Sequence, residues 1–363
     1  MGVAEEDAGF ASGVRACGGL GAFEAQSRSM KGALPRLVLL LAAIVALPLA
    51  VRPVVASEIW IFAIAGMALN LIFGYTGMLS FGQATFFGLA AYTAGLMMIH
   101  WHAPLLVVLA AGTLVGALAA AAIGYVCIQR VGTYFIMLTF GFNQMFFFIA
   151  YKWTSLTGGD DGLPGIPRPP LALGPLAIRL DSSLRYYIFV AIVFVVAFYA
   201  MKRIVDSPLG VIFQSIRENP VRAAAVGYDV KRYKWIAFTI AGGFTGFAGV
   251  LYSMMFGIVP LESISWIISG DIVFMVLIGG IGNLYGPLLG AAAFKWLSEA
   301  ISVVWERWPL ILGVALVLVV LFLRGGLVEA FTRLRDAAGG PRAKREPGET
   351  LPVGIAAEPE AGS

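Results

Sequence analysis

Apolar residues run along this chain in long windows that are separated by short polar breaks. Each window is close to the ~20 residues that a helix needs to cross a hydrocarbon core about 30 Å thick. The pattern predicts ten membrane-spanning helices, at residues 36–51, 58–74, 83–100, 104–128, 131–151, 185–203, 235–257, 263–280, 287–304 and 308–323. The break inside 263–304 is the least distinct boundary. The predicted fold class is an all-α polytopic membrane protein with about ten transmembrane helices.

The composition supports a membrane protein and excludes an ordinary soluble one. Of the 363 residues, 59% are hydrophobic and only 13% are charged, whereas soluble domains average about 25% charged residues. The net charge of +4 indicates no nucleic-acid partner, because the basic residues concentrate in the loops, where they orient membrane proteins.

The distribution of basic residues predicts how the chain is oriented. Ten spans place both termini on one side, and thirteen lysines and arginines fall on that side against six on the other. Basic residues favour the cytoplasmic side, so both termini are predicted to be cytoplasmic. We expect a transmembrane domain over 34–324, with disordered tails at 1–33 and 325–363. Met30 begins a run typical of a membrane-protein start, so translation from Met30 is a hypothesis.

Two glycine-rich stretches interrupt the apolar pattern, "FGYTGMLSFGQATFFG" at 73–88 and "IGGIGNLYGPLLG" at 278–290. They share the pattern G-x-x-G-x-L. Glycine permits both unwound backbone and close helix packing, and transporters use broken helices at their substrate sites. Tight packing alone and a bend that lines a pathway both remain open. The candidate hinge residues are Gly74, Gly77, Gly82, Gly279, Gly280, Gly282 and Gly286.

The chain carries little that could perform catalysis. None of the seven lysines follows a glycine, so the phosphate-binding P-loop is absent. We find no nucleophile–base pair and no metal-ligand cluster, so neither an enzyme nor a metal site is expected. Lys295 and Glu299 stand four residues apart in one predicted helix, a spacing that favours a structural pair on one face.

Neutral polar residues inside the spans are the candidates for a solute pathway. Such side chains bind a polar solute weakly, but they also serve as ordinary hydrogen-bond partners between helices. For any one of them the packing interpretation is favoured. The candidates are Asn70, Thr76, Ser80, Gln83, Thr139, Asn143, Gln144 and Thr239.

The longest predicted cytoplasmic loop, 204–234, contains two helix signals. Asp206 or Ser207 is a candidate N-cap for a helix that starts at Pro208. The same signal recurs at Asn219–Pro220, and Gly227 is placed to end a short second helix, Pro220–Val226.

The second helix of this loop carries a small apolar face. Val221, Ala224 and Ala225 lie at helical spacing, and a two-turn helix is marginal alone in water, so we expect a partner to dock there. The cations that follow it suit the surface of anionic membrane lipid. The candidate docking residues are Arg217, Glu218, Asn219, Pro220, Arg222, Ala223, Ala224 and Gly227.

Four stretches together resemble the branched-chain amino acid ABC-importer permease family, LivM type. They are "LNLIFGYTGMLSFGQATFFGLAAYTAGL" (69–96), "TGGDDGLPGIP" (157–167), "IRENPVRAAAVGYDVKRYKWIAFTIAGGFTGFAGVLYS" (216–253) and "VLIGGIGNLYGPLLGA" (276–291). The resemblance covers about residues 55 to 330 and implies an ABC importer permease-like fold in the bacterial inner membrane.

The resemblance also implies partners for the chain. They are a second, LivH-like permease subunit, two cytoplasmic ABC ATPase subunits that bind ATP and Mg, and a periplasmic solute-binding protein; no cofactor is expected in this chain itself. Pro220–Gly227 matches the family's ATPase-coupling segment. Alanines stand at Ala223 and Ala224 where the related motif has an acidic residue, and the nearest carboxylate is Glu218.

The paired Asp160 and Asp161 lie in the predicted outer loop. They are candidates for contact with the binding protein or a cation, although a solvated turn is favoured. The alternative substrates within the importer class are urea and short-chain amides. The alternatives outside it are an ion-coupled secondary transporter and a membrane enzyme.

Overall fold

The computed structural model describes residues 51–168 and 182–302 continuously, together with 170–173, 176–178 and a few isolated positions. Within these residues five helices are long and apolar enough to cross a membrane. The first and tenth predicted spans, both predicted tails and Met30 lie outside the described residues, apart from isolated positions. The count of ten spans therefore stays a prediction.

The described chain is mainly helical. The helices are α1 (Pro53–Asn70), which runs on into a π-helical turn (Leu71–Tyr75), α2 (Gln83–His100), α3 (Leu105–Cys127), α4 (Thr133–Lys152), α5 (Thr154–Thr157), α6 (Ser183–Val205), α7 (Pro208–Glu218), α8 (Pro220–Ala225), α9 (Val230–Phe256), α10 (Trp266–Gly279) and α11 (Gly286–Ser302). Every predicted span from 58–74 to 287–304 corresponds to one of these helices, and 263–304 does divide into two.

Helix α1 lies at the centre of the fold. It packs against α6, α9, α10 and α11, and Trp60, Phe62 and Ile64 are almost fully buried. A helix that is apolar around its whole circumference needs neighbours or lipid on every side. By contrast, α4 leaves Met137, Met145 and other large apolar side chains exposed.

Helices α3 and α9 approach each other closely through glycine. A Cβ atom at Gly116 would lie 2.7 Å from the carbonyl oxygen of Gly242 and 2.9 Å from Cα of Gly246. The spacing of Gly242 and Gly246 by four residues puts both on the same face of α9. This contact gives the pattern of small residues a packing role.

The long loop between α4 and α6 contains a little β-structure, which the all-α expectation did not include. Strand β1 (Leu163–Pro164) pairs antiparallel with β4 (Ile258–Val259), and β2 (Leu171–Leu173) pairs with β3 (Leu176–Ile178). The guanidinium of Arg168 donates from Nε to the carbonyl of Met254 at 3.0 Å. The loop is thereby fastened to the end of α9.

The predicted pairing of Lys295 with Glu299 is wrong. The Nζ atom of Lys295 lies 2.6 Å from Oε1 of Glu58 on α1, and Glu299 lies 3.9 Å from Arg52. Both carboxylates are satisfied across the α1–α11 interface because the two helices pack side by side. The structural interpretation of these charges stands, with different partners.

Candidate functional site

The short helix α8 has defined ends. The side chain of Asn219 accepts a hydrogen bond from the backbone amide of Arg222 at 2.9 Å, as an N-cap does. Beyond the helix, Gly227 has φ +100°, a conformation that favours glycine. The predicted cap at Asn219 and start at Pro220 are confirmed. The helix ends at Ala225, one residue earlier than predicted.

One face of α8 is exposed and apolar. Val221 and Val226 are 77% and 73% exposed, and Ala224 and Ala225 are exposed beside them. Ala223, which the sequence placed among the docking residues, is buried, so its methyl group packs inward. The docking face, defined here as Val221, Ala224, Ala225 and Val226, is covered by nothing within the described residues.

Helix α7 anchors α8 to the body of the protein. Phe213 and Ile216 are buried on one side of α7 and fix it against the core. Ser207 occupies the N-cap position as predicted, but its side chain accepts no capping hydrogen bond. Its hydroxyl donates instead to the carbonyl of Ile204 at 2.6 Å, a carbonyl at the end of α6 that also accepts from the amide of Ser207 at 3.3 Å.

The first glycine-rich stretch breaks the chain between α1 and α2. After the π-helical turn, the hydroxyl of Thr76 donates to the carbonyl of Leu71 at 3.0 Å, and Gly77 has φ +79°. Gly82 occupies the N-cap position of α2, where the hydroxyl of Ser269 accepts from the amide of Ala84 at 2.8 Å. Hydrogen bonds to side chains thus satisfy backbone groups in the helical turns on either side of the break.

The second glycine-rich stretch breaks the chain between α10 and α11. Gly280 and Gly282 both have positive φ, +117° and +81°. A Cβ atom at Gly279 would lie only 1.8 Å from the carbonyl oxygen of Gly286. This break is a tight turn in which backbone packs directly on backbone.

The two breaks lie against each other. The side chain of Asn70 accepts from the amide of Gly282 at 2.9 Å and donates to the carbonyl of Asn283 at 3.0 Å. In the shared pattern G-x-x-G-x-L, the second glycines are Gly77 and Gly282, whose φ angles differ by only 2°. The two stretches therefore share a glycine with positive φ at the same place in the pattern.

Arg217 connects α7 to both breaks. Its Nη1 donates a hydrogen bond to the carbonyl of Gly74 in the π-helical turn. A Cβ atom at Gly77 would lie 3.3 Å from Cγ of Arg217, and one at Gly282 would lie 2.9 Å from Nη1. Arg217, Gly74 and Gly282 share a cleft of about 370 Å³ with Tyr75, Gln214 and Glu218. The structure thus joins predicted hinge residues to a predicted docking residue.

Most of the candidate pathway residues are buried and bonded to neighbouring helices. Asn143 donates to Thr85 at 2.9 Å and to the carbonyl of Ile264 at 3.0 Å. Gln83 accepts from Thr245 at 2.7 Å. These contacts favour the packing interpretation for both residues.

Three more of the candidates bond to nearby backbone. Thr139 accepts from the amide of Phe81 at 3.3 Å, Ser80 accepts from that of Gly82 at 3.1 Å, and the hydroxyl of Thr76 is used within its own turn. All three are buried, so they hold the first break in place.

Four candidates carry a buried polar atom that has no partner within the described residues. They are Nε2 of Gln83, Oδ1 of Asn143, Oε1 of Gln144 and Oγ1 of Thr239. Thr239 lies in an apolar groove between α3, α6 and α9. No pathway role follows from these atoms alone.

The two aspartates of the outer loop lie in a 3-10 turn, Gly159–Asp161, and both are exposed. The hydroxyl of Thr157 accepts from the amide of Gly159 in this turn at 3.2 Å and donates to the carbonyl of Ala150 in α4 at 2.6 Å, which ties the turn to α4. No group of three metal-ligating side chains occurs within the described residues. The exposed carboxylates are accessible to a protein partner.

The sequence did not single out Ser269, Asn283 or Glu58, although each makes a long-range contact at the breaks or the core. Asn283 was recognisable as a lone amide in an otherwise apolar glycine-rich stretch. Ser269 and Glu58 gave no local signal, because their partners lie 185 and 237 residues away.

Comparison with known proteins finds similarity to membrane permeases of transport systems. Residues 54–323 match a family model described as "Branched-chain amino acid transport system / permease component". The chain is 27% identical over 293 residues to the high-affinity branched-chain amino acid transport system permease protein LivM of Salmonella typhimurium, across 76% of this chain and 69% of that protein. The values for LivM of Escherichia coli are the same.

A shorter similarity reaches a permease with a different cargo. The chain is 31% identical over 133 residues to the autoinducer 2 import system permease protein LsrC of an Enterobacter species, across 34% of this chain and 38% of that protein. No solved structure matches the chain significantly.

Proposed function

The chain belongs to the family of permease components of branched-chain amino acid transport systems, and we propose that it is the membrane subunit of an ATP-driven, binding-protein-dependent importer. In this proposal it lies in the bacterial inner membrane with both termini in the cytoplasm. ATP and Mg²⁺ are bound by partner subunits rather than by this chain.

The docking face of α8 is the observation that carries the proposal. A two-turn helix is marginal by itself, yet α8 is capped by Asn219, ended at Gly227 and anchored through Ala223. Its exposed side chains are small or apolar, with the charged Glu218 and Arg222 beside them. Small side chains let a partner's surface approach the backbone, and flanking charges orient it. These features suit a cytoplasmic ATPase subunit.

The remaining partners follow from the same assembly. A second, LivH-like permease would complete the membrane part of the importer, and a periplasmic solute-binding protein would deliver the cargo. The exposed turn that carries Asp160 and Asp161 is the proposed contact for that binding protein. The exposed apolar stripe of α4, which includes Met137 and Met145, is available to lipid or to the second permease.

Branched-chain amino acids are the proposed cargo. The support is the family description and the similarity to the two LivM relatives, of whose length this chain covers 69%. Urea or a short-chain amide is the rival cargo. Uptake of radiolabelled leucine, valine and urea by the reconstituted complex distinguishes them: saturable leucine uptake supports the proposal, and urea uptake without leucine uptake contradicts it.

Substitution on the docking face tests the coupling role. We expect Ala224→Arg to insert normally but to lose both co-purification of the ATPase subunits and uptake, because a long charged side chain blocks close approach. The matched variant Ala224→Ser stays small and should retain both. Normal co-purification with Ala224→Arg would contradict the docking role. Gradient-driven uptake by the purified chain alone would indicate a secondary transporter instead.

A further inference from the structure

Arg217 lies where the docking element and the two glycine-rich breaks meet. We propose that Arg217 is a positioning residue that passes movement of α8 to both breaks at once. This inference rests on the proposed function, because it takes α8 as the element that receives force from the ATPase. It differs from the sequence-based prediction, in which Arg217 was a candidate docking residue.

The docking face and Arg217 are close together along the chain. Asn219 is the single residue between α7 and α8, and Arg217 stands in the last turn of α7. Phe213, one turn earlier on the same face as Arg217, and Ile216 hold α7 against the core. A displacement of α8 therefore acts on the end of α7 that carries Arg217, while the buried side chains provide a pivot.

The guanidinium of Arg217 then reaches the first break. Its Nη1 donates to the carbonyl of Gly74, which belongs to the π-helical turn at the end of α1. Short π-helical turns are frequent at functional positions in helices. The stem of the same side chain passes over Gly77, where a Cβ atom would lie 3.3 Å from Cγ of Arg217. Any larger residue at Gly77 would have to displace the arginine.

The second break is attached to the same point. A Cβ atom at Gly282 would lie 2.9 Å from Nη1 of Arg217 and 3.4 Å from the carbonyl oxygen of Gly74. Asn70 ties the two breaks together through the amide of Gly282 and the carbonyl of Asn283. In this proposal the two breaks move together with Arg217. The glycines at the helix ends absorb the change in backbone angles.

The planar fork of arginine suits this position. A lysine has a single ammonium group, which can still donate to the carbonyl of Gly74 but does not present a flat surface to Gly282 as well. We therefore expect Arg217→Lys to retain part of the coupling and Arg217→Gln to lose it. Arg203→Gln is the matched control, because Arg203 is an exposed arginine at the end of α6 that contacts neither break.

The experiment uses the complete importer in proteoliposomes, with loaded binding protein outside. Co-purification of the ATPase subunits, stimulated ATP hydrolysis and solute uptake are measured on each variant. Arg217→Gln should keep the ATPase subunits bound while uptake falls by about tenfold or more, the equivalent of one hydrogen bond to a charged group. The ATP hydrolysed per solute should rise, which simple loss of folded protein would not produce.

Several outcomes would overturn the inference. Arg217→Gln with normal uptake would show that the link is dispensable. Arg217→Lys with the full coupling ratio of the wild type would show that the hydrogen bond to Gly74 alone suffices, which contradicts transmission to both breaks. Loss of the ATPase subunits from Arg217→Gln would place Arg217 on the docking surface instead. If Ala224→Arg loses the ATPase subunits while Arg217→Gln imports normally, only the link fails. If Ala224→Arg keeps them, the docking role of α8 fails.

Discussion

The ammonium group of Lys295 on α11 lies 2.6 Å from the carboxylate of Glu58 on α1 and 4.0 Å from the ring centre of Phe62. Both charged side chains are largely enclosed, with 14% and 18% of their surface exposed. The pair therefore fastens the central helix to α11, and each charge depends on the other to remain inside the protein.

Removing one member of this pair should destabilise the protein. We expect Lys295→Met to lower the free energy of unfolding by about 2–4 kcal/mol, because an enclosed carboxylate is left without a partner and breaking a buried pair costs ~3–5 kcal/mol. Thermal unfolding in detergent measures the change. The double variant Glu58→Gln/Lys295→Met should recover part of the loss.

The neighbouring ion pair provides a control for this effect. Arg52 and Glu299 lie 3.9 Å apart with 84% and 44% of their side chains exposed. Arg52→Gln should change stability by at most about 1 kcal/mol, since exposed pairs contribute little. Equal losses in Arg52→Gln and Lys295→Met would argue against a special role for the enclosed pair.

The amide of Asn70 should be costly to replace. Asn70→Ala leaves the amide of Gly282 and the carbonyl of Asn283 without their partner. Both residues are half-buried, so each loss should fall toward the lower end of the about 1–3 kcal/mol that an unsatisfied buried group costs. A drop in melting temperature, with uptake reduced at a given amount of folded protein, is the expected result. Thr239→Val serves as the control, because the hydroxyl of Thr239 has no partner within the described residues.

Alanine at Gly282 should strain the second break. Its φ of +81° costs a residue with a side chain about 1–3 kcal/mol, and the new Cβ would press on Arg217. We expect Gly282→Ala to lower both thermal stability and uptake. Gly141→Ala in α4 meets nothing within 4 Å, so it should leave thermal stability unchanged or slightly increased. Similar behaviour of the two variants would contradict this account.

The cap of α8 should matter for assembly more than for stability. Asn219→Ala removes the acceptor for the amide of Arg222, and loss of such a cap costs about 1 kcal/mol. Because α8 is at the surface, we expect weaker ATPase co-purification with little change in melting temperature. Asn219→Asp retains an acceptor oxygen and should behave like the wild type. Unchanged co-purification in Asn219→Ala would show that α8 needs no cap.

Local signals in the sequence predicted the elements of the fold well. The start of α7 at Pro208, the cap of α8 at Asn219 and its stop near Gly227 all depend on the conformational preferences of a few adjacent residues. The separation of α10 from α11 follows from the glycines between them. Such preferences act over one or two turns and can be read directly from the chain.

The contacts that make up the site could not be predicted in this way. Lys295 had a suitable carboxylate four residues away at Glu299, but it bonds to one 237 residues away. Arg217 and Gly74 are separated by 143 residues. Which of several possible partners a charged side chain selects depends on how the helices pack, and no local pattern encodes that choice. The exposed face of α8 was recognisable, whereas the inward position of Ala223 was not.

The contact between Asn70 and Gly282 can form only late in synthesis of the chain. The two residues are 212 positions apart, and a ribosome that adds about 5–20 residues per second needs roughly 10–40 s to cover that distance. During this interval the central helix has no partner for the amide at its end. Glu58 on the same helix likewise has no Lys295 to pair with in this interval. We therefore expect a nascent chain halted before Gly282 to leave both the carboxylate of Glu58 and the turn at Leu71–Tyr75 without their partners.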